Sequence, residues 1–172
     1  MHLRDVDQKL TCFLHDRVGK RPWLDKLAIF AARDLPFVFV ALPLIVLVQF
    51  SPASFLIAYV LVIALSQFFA YVFQQTLHRS RPFQREHLRP IYKARIASAS
   101  FPSGHATLVA VVITSAAMLG FSHELWLLLS LVAMSLLILI ARVYGGLHYV
   151  SDILAGLVFG YLMTSGFLFI IL

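Results

Sequence analysis

The sequence predicts an all-α fold: an integral membrane helical bundle of about five transmembrane helices, preceded by an N-terminal amphipathic helix. Three observations predict it. Of 172 residues, 60% are hydrophobic and only 13% charged, against roughly 45–50% and about 25% in ordinary soluble domains. No Asp, Glu, Lys, Arg or His occurs in residues 35–77, 106–122, 125–141 or 153–172. These runs lack the two-residue alternation of barrel strands, so their backbone polar groups must be satisfied inside helices if they enter lipid. A soluble protein with a buried helical core is the competing reading, and the four uncharged runs weigh against it.

Residues 1–33 form an amphipathic, interfacial arm. Leu3, Val6, Leu10, Phe13, Leu14 and Val18 recur at helical spacing, with Arg4, Asp5, Lys9 and Asp16 between them. Such a helix either lies in the headgroup region or packs on the end of the bundle. Gly19-Lys20-Arg21-Pro22 ends it, and Pro22 suits the first turn of a following helical piece. The charged start lacks the continuous apolar core of a cleavable signal.

A helical crossing takes about 20 mostly apolar residues, so the first uncharged run holds two crossings and each later run one. The predicted spans are 36–50, 53–77, 103–120, 125–143 and 150–172, with a break near Ser51-Pro52. The first is short and carries Pro43; residues 23–32 can extend it. The whole chain, 1–172, reads as one membrane-embedded domain. Its single cysteine, Cys12, excludes a disulfide framework and a multi-cysteine zinc site. The net charge of +6 suits nucleic acid or an acidic membrane surface, and the lipid-compatible runs decide for the bilayer and against nucleic acid. Nothing in the sequence implies an obligate protein partner.

Short connections near Ser51-Pro52 and at 121–124 make consecutive helices antiparallel. The polar loop 78–102 and the turn 144–149 therefore fall on one side of the membrane. Three motifs meet there. Arg81-Pro82 ends the second span: the proline stops the helix and leaves a guanidinium at the water boundary. Pro102-Ser103-Gly104-His105 opens the third span, where exposed N–H groups at Ser103 and Gly104 and the helix dipole make an anion site beside a proton-donating histidine. Arg142, His148 and Asp152 flank the turn between the last two spans. His148 and Asp152 are four apart, so a helical turn places them on one face, where a carboxylate can orient an imidazole. Arg142 offers a planar fork for phosphate oxygens. A metal could also use His and Asp, but the neighbouring arginines repel cations and attract anions. For most other cations of the loop, including Lys93 and Arg95, contact with lipid headgroups is the simplest reading.

In this order and between these helices, Arg81-Pro82, Pro102-Ser103-Gly104-His105 and Arg142…His148…Asp152 resemble the three-part signature of the type-2 phosphatidic acid phosphatase superfamily. The match runs from Gln74 to Asp152. The resemblance implies that His148 attacks phosphorus to form a phosphohistidine, that Asp152 orients it, and that His105 protonates the leaving oxygen. Arg81, Arg142, Ser103 and Gly104 would hold the phosphate, with no metal and no cofactor. The chain departs from the family pattern at Gln74, where a lysine is usual, and at Ala141, where a serine is usual. The missing charge at Gln74 leads to the expectation that Arg79 or Arg85 compensates as a further substrate contact.

The implied substrate is an anionic lipid phosphate held at the bilayer. The small size, short N-terminal arm and Ala99-Ser100-Phe101-Pro102 continuation are similar to bacterial undecaprenyl-diphosphate phosphatases. Phosphatidylglycerophosphate, phosphatidic acid and lipid A phosphatases are the alternatives within the superfamily. A catalytically silent binding or transport protein, suggested by Gln74, is the alternative of another class. The expected location is a bacterial cytoplasmic membrane. On the five-span topology all 14 Lys and Arg residues lie on the side of the motifs or at its boundary, which predicts a cytoplasmic site by the positive-inside rule. The resemblance predicts the opposite, extracytoplasmic face.

Overall fold

The computed structural model describes residues 3–92, 99–119 and 125–171. The predicted contacts of Lys93 and Arg95, and the connection 121–124, lie outside the described residues. Among the described residues the chain forms eight helices: α1 (Leu3–His15), α2 (Pro22–Arg33), α3 (Leu35–Phe50), α4 (Ala53–Leu77), α5 (Pro82–Arg85), α6 (Gly104–Met118), α7 (Leu125–Tyr144) and α8 (Val150–Ile171). The apolar runs thus became α3, α4, α6, α7 and α8, close to the boundaries read from the charge-free runs and the prolines.

Among the described residues, α4, α7 and α8 are individually long and apolar enough to cross a membrane. The first crossing is not α3 alone. Pro22 starts α2, Pro36 sits in the first turn of α3, and the two helices join at a 48° bend. A proline cannot continue an existing helix because it lacks the N–H and clashes with the preceding turn, so the two helices meet at a break, and only together do they have the length and apolarity of a span. α6 has 15 residues, about 22 Å of helix. That is shorter than a hydrocarbon core of about 30 Å.

The bundle is apolar on both sides of its helices. Phe39, Leu47, Tyr59, Val112, Leu127, Leu131 and Leu168 fill the core, while Phe37, Phe50, Phe68, Leu129, Leu162 and Phe169 are exposed on the outside. An aqueous surface would not carry so continuous an apolar belt. α6 and α8 pack most closely. Gly156 and Gly160 let α8 approach the α6 backbone, since a Cβ at either would lie 2.6 Å from the Ser103 carbonyl oxygen or 2.5 Å from that of Thr107.

α1 packs on the end of the bundle with its polar stripe inward. Asp7, Thr11 and His15, one per turn, are buried, whereas Leu10 and Phe13 are 47% and 58% exposed. The expected apolar face therefore splits. Leu14 and Val18 pack inward, and Leu10 and Phe13 point away from the protein. His15 explains part of the inversion, because its Nδ1 lies 2.9 Å from the Tyr144 carbonyl oxygen at the end of α7.

Candidate active site

All three motifs meet at one end of the bundle. Backbone bonds hold the pieces together: Ser103 N–H donates to the Asp152 carbonyl at 3.1 Å, Phe83 N–H to Gly146 at 3.1 Å and Ile91 N–H to Gly145 at 3.3 Å. The two glycines make this docking possible. Gly146 takes a left-handed φ of +69°, and a Cβ on Gly145 would sit 2.7 Å from Ile91 Cγ2.

His148 lies in the turn just before α8 and is 1% exposed. Its Nδ1 lies 2.8 Å from the Ser100 carbonyl oxygen. A carbonyl can only accept, so Nδ1 carries the proton and Nε2 keeps its lone pair. On that side Arg142 Nη2 stands 3.3 Å away. Burial, followed by the charges of Arg142 and Arg81, holds the imidazole well below its ordinary 6.5, which keeps it neutral.

Asp152 is fully buried beneath this turn. The expected direct orientation of His148 by Asp152 takes a different form here. Nδ1 and Asp152 Oδ2 are 3.8 Å apart, too long for a hydrogen bond. Oδ2 instead accepts the Tyr149 N–H at 2.8 Å, and Oδ1 accepts Arg79 Nη1 at 2.6 Å. The carboxylate braces the backbone that presents His148, and the Ser100 carbonyl selects the tautomer.

Arg142, at the end of α7, is 4% exposed. Nη1 donates to the Tyr92 hydroxyl at 2.5 Å and the Ala32 carbonyl at 3.2 Å. Its Nε is a buried donor without a hydrogen-bond partner among the described residues, and such a group costs about 1–3 kcal/mol unless an acceptor arrives. Arg81 is also buried and reaches the Leu147 carbonyl at 3.5 Å. His105 is half-buried in the first turn of α6 and interacts electrostatically with Arg142, His148 and Arg81. Both histidines and both arginines thus cluster at the same end of the bundle.

Ser103 is the N-cap of α6, its hydroxyl oxygen accepting Ala106 N–H at 3.4 Å. Its own N–H is taken up by Asp152, so it is not the anion-binding amide that the motif suggested. Gly104 and His105 are left with the first-turn N–H groups that no intrahelical carbonyl can reach.

The three residues expected to extend the phosphate cradle sit differently from that expectation. Gln74 is buried, and its Nε2 donates to the Pro102 carbonyl at 2.8 Å. Two turns earlier on the same face of α4, Gln67 Nε2 donates to the Gly104 carbonyl at 3.2 Å, so two glutamines latch the start of α6. Arg79 is clamped between Asp7 Oδ2 at 2.9 Å and Asp152 Oδ1 at 2.6 Å; two carboxylates neutralise the charge that was expected to meet phosphate. Arg85 is half-exposed and faces Glu86 at 3.8 Å, outside the cluster.

Sequence reasoning missed Ser100, Tyr92, Gln67 and Asp7. The first acts through its backbone carbonyl, which no residue type signals. Asp7 did leave a trace: Asp7, Thr11 and His15 form a polar stripe at helical spacing that a helix simply floating on lipid would not need.

Known proteins resemble this chain in sequence and in fold. The Escherichia coli (strain K12) protein YbjG, provisionally named an undecaprenyl-diphosphatase, is 29% identical over 163 residues, covering 92% of this chain and 79% of its own. The crystal structure of a transmembrane PAP2 type phosphatidylglycerolphosphate phosphatase from Bacillus subtilis superposes with a TM-score of 0.74 at 21% identity, over 98% of this chain and 85% of that one. Aquifex aeolicus LpxE gives a TM-score of 0.70 at 21% identity, over 93% of both chains. The PAP2 superfamily model matches residues 55–171, the stretch holding every buried arginine and histidine of the cluster, and the chain belongs to the PAP2 superfamily of membrane lipid phosphatases.

Proposed function

We propose that this chain removes the terminal phosphate of undecaprenyl diphosphate through a phosphohistidine at His148. The observation that carries the mechanism is the pairing at His148: Nδ1 is bonded to Ser100, and Nε2 points to the Arg142 guanidinium at 3.3 Å. A phosphoryl group delivered to Nε2 arrives within reach of that guanidinium.

In the first step the Nε2 lone pair forms the N–P bond while the bond from phosphorus to the leaving lipid phosphate oxygen breaks. His105, which takes up a proton as the anionic diphosphate offsets the charge of Arg142 and Arg81, gives that proton to the leaving oxygen. In the second step His105, now neutral, takes a proton from water, whose oxygen attacks phosphorus and releases inorganic phosphate and His148. Arg142, Arg81 and the first-turn amides of Gly104 and His105 hold the equatorial oxygens, as phosphoryl transfer depends on positioning and charge stabilisation. Two buried guanidiniums disfavour a resident cation, so the reaction is proposed to be metal-independent.

The choice of an isoprenoid diphosphate rests on the likeness to YbjG. The proposed location is a bacterial cytoplasmic membrane with the site on the extracytoplasmic face. Phosphate release by purified protein, measured side by side on undecaprenyl diphosphate, phosphatidylglycerophosphate, phosphatidic acid and lipid A, tests the substrate. Highest kcat/KM on undecaprenyl diphosphate, undiminished by a chelator, is expected. A preference for another lipid overturns the substrate, and loss in chelator restored by zinc or magnesium overturns the mechanism. Labelling single cysteines placed in the 84–92 loop with an impermeant reagent on intact cells tests the orientation.

A further inference from the structure

Asp7 is buried where α1 meets the start of α8. Its Oδ1 accepts the Ser151 N–H at 3.0 Å, across 144 residues of chain, and its Oδ2 accepts the Ser151 hydroxyl. The same Oδ2 accepts Arg79 Nη2 at 2.9 Å. The other arm of that guanidinium, Nη1, donates to Ser151 Oγ at 2.7 Å and Asp152 Oδ1 at 2.6 Å. Arg79 also lies over the Tyr149 ring, 4.4 Å from its centroid. A second link runs from the same helix: Gln8 Nε2 donates to Glu86 at 2.5 Å, and Glu86 accepts the Tyr149 hydroxyl at 3.0 Å.

We propose that Asp7 is a positioning residue for the reaction: it holds Arg79, and Arg79 holds Asp152 under the turn that presents His148. The role rests on the reading of His148 as nucleophile. It follows from the chemistry of the fork. A guanidinium has a planar set of donors but a long, flexible stem, and one carboxylate does not fix both. Two carboxylates on different helices do, one per arm. Asp152 in turn cannot hold His148 directly, being 3.8 Å from Nδ1, so its own placement reaches His148 through neighbours: the Tyr149 N–H that it accepts and Ser100, whose side chain bonds Asp152 and whose carbonyl meets Nδ1. Asp7 also sets the charge of the cluster. With it, Arg79 is matched by two carboxylates. Without it, a guanidinium that is 29% exposed is free to turn towards an arriving phosphate and let go of Asp152. Asp7 further supplies an acceptor to a first-turn amide of α8, which lacks one within its own helix.

A docking role alone would make Asp7 matter for folding and not for turnover, and kinetics separate the two. The full chain in detergent, releasing phosphate from undecaprenyl diphosphate, is compared with Asp7→Asn, Arg79→Lys, the double variant, His148→Ala and, as a charge control just beyond the end of α1, the exposed Asp16→Asn. Asp7→Asn is expected to lower kcat about 10-fold or more, as outer partners of reacting groups commonly do, with KM within about twofold. Arg79→Lys, whose single ammonium cannot span two carboxylates, should do the same, and the double variant should be no worse than the poorer single one. Asp16→Asn should match the wild type. Wild-type kcat in Asp7→Asn, or losses that multiply in the double variant, would overturn the proposal. Should Asp7→Asn not fold, Arg79→Lys decides, since wild-type kcat there is equally fatal. If the unaltered chain releases no phosphate from any of the four lipids, the functional reading fails first and the positioning role falls with it.

Discussion

The Ser100 carbonyl oxygen lies 2.8 Å from His148 Nδ1, a full ångström closer than the nearest oxygen of Asp152 at 3.8 Å. A backbone acceptor therefore selects the imidazole tautomer, and a carboxylate supports it from one step further away. His148→Ala should abolish turnover. Asp152→Asn should cost about 10–100-fold in kcat, well short of the ~10⁴-fold loss where the carboxylate itself sets the tautomer. Single-turnover phosphate release measures both, and equal, complete loss in the two variants would contradict the division of roles.

The depressed titration of His148 links pH to stability as well as to rate. Burial and the charges of Arg142 and Arg81 lower the folded value well below 6.5. Below pH 6.5 the unfolded chain therefore binds a proton that the folded chain refuses. Stability contributed by neutral His148 is complete above that pH and declines as pH falls, by at most about 1.4 kcal/mol per pH unit. Thermal unfolding in detergent between pH 7.5 and 5 should show the decline, with a shallower slope in His148→Gln. The acid limb of kcat/KM should fall below the range of an ordinary imidazole; a limb centred near 6.5 that vanishes in no histidine variant would oppose this account.

The α6–α8 contact makes a graded prediction from three glycines. A Cβ at position 160 would lie 2.5 Å from the Thr107 carbonyl oxygen, and one at 156 would lie 2.6 Å from that of Ser103, whereas one at 166 meets nothing within 4 Å. Gly160→Ala should lower stability by about 1–3 kcal/mol, the usual cost of overpacking. Gly156→Ala should do so and also lower kcat, because Ser103 caps α6 and its N–H is tied to Asp152. Gly166→Ala should be neutral. Unfolding midpoints and initial rates for the three variants check the order.

Gln74 predicts a structural phenotype. Gln74→Ala strands the buried Pro102 carbonyl and should cost about 1–3 kcal/mol, with lower kcat because the α6 N-terminus loosens. Gln74→Lys keeps a donor for that carbonyl and should retain more activity than the alanine variant. Equal activity in wild type and Gln74→Ala would show that the latch has no bearing on the site.

Most of the architecture was legible because the bilayer imposes a coarse rule on sequence. Charge-free runs mark the spans, and the boundaries read that way fall within a few residues of α3, α4, α6, α7 and α8. The motifs stood out in the sequence as well, since Arg81, His105, Arg142, His148 and Asp152 are residue types that are costly near lipid, and the fold brings them to one end of the bundle. The cradle was misread at Arg79 and Arg85 for one physical reason. A sequence gives a guanidinium its charge but not its partner, and Asp7, far away in the chain, neutralises one while the other stays at the surface beside Glu86.

Composition, the placement of charge and the order of three short motifs were enough to specify a membrane-embedded helical bundle and the family it belongs to, because hydropathy and residue chemistry are carried by the chain itself. Which atom orients His148, which residues carry Arg79, and which face of α1 looks inward depended on the fold. Those are properties of distances between segments remote in sequence, and a backbone carbonyl such as that of Ser100, offered by any residue type at all, acquires its role only where packing puts it.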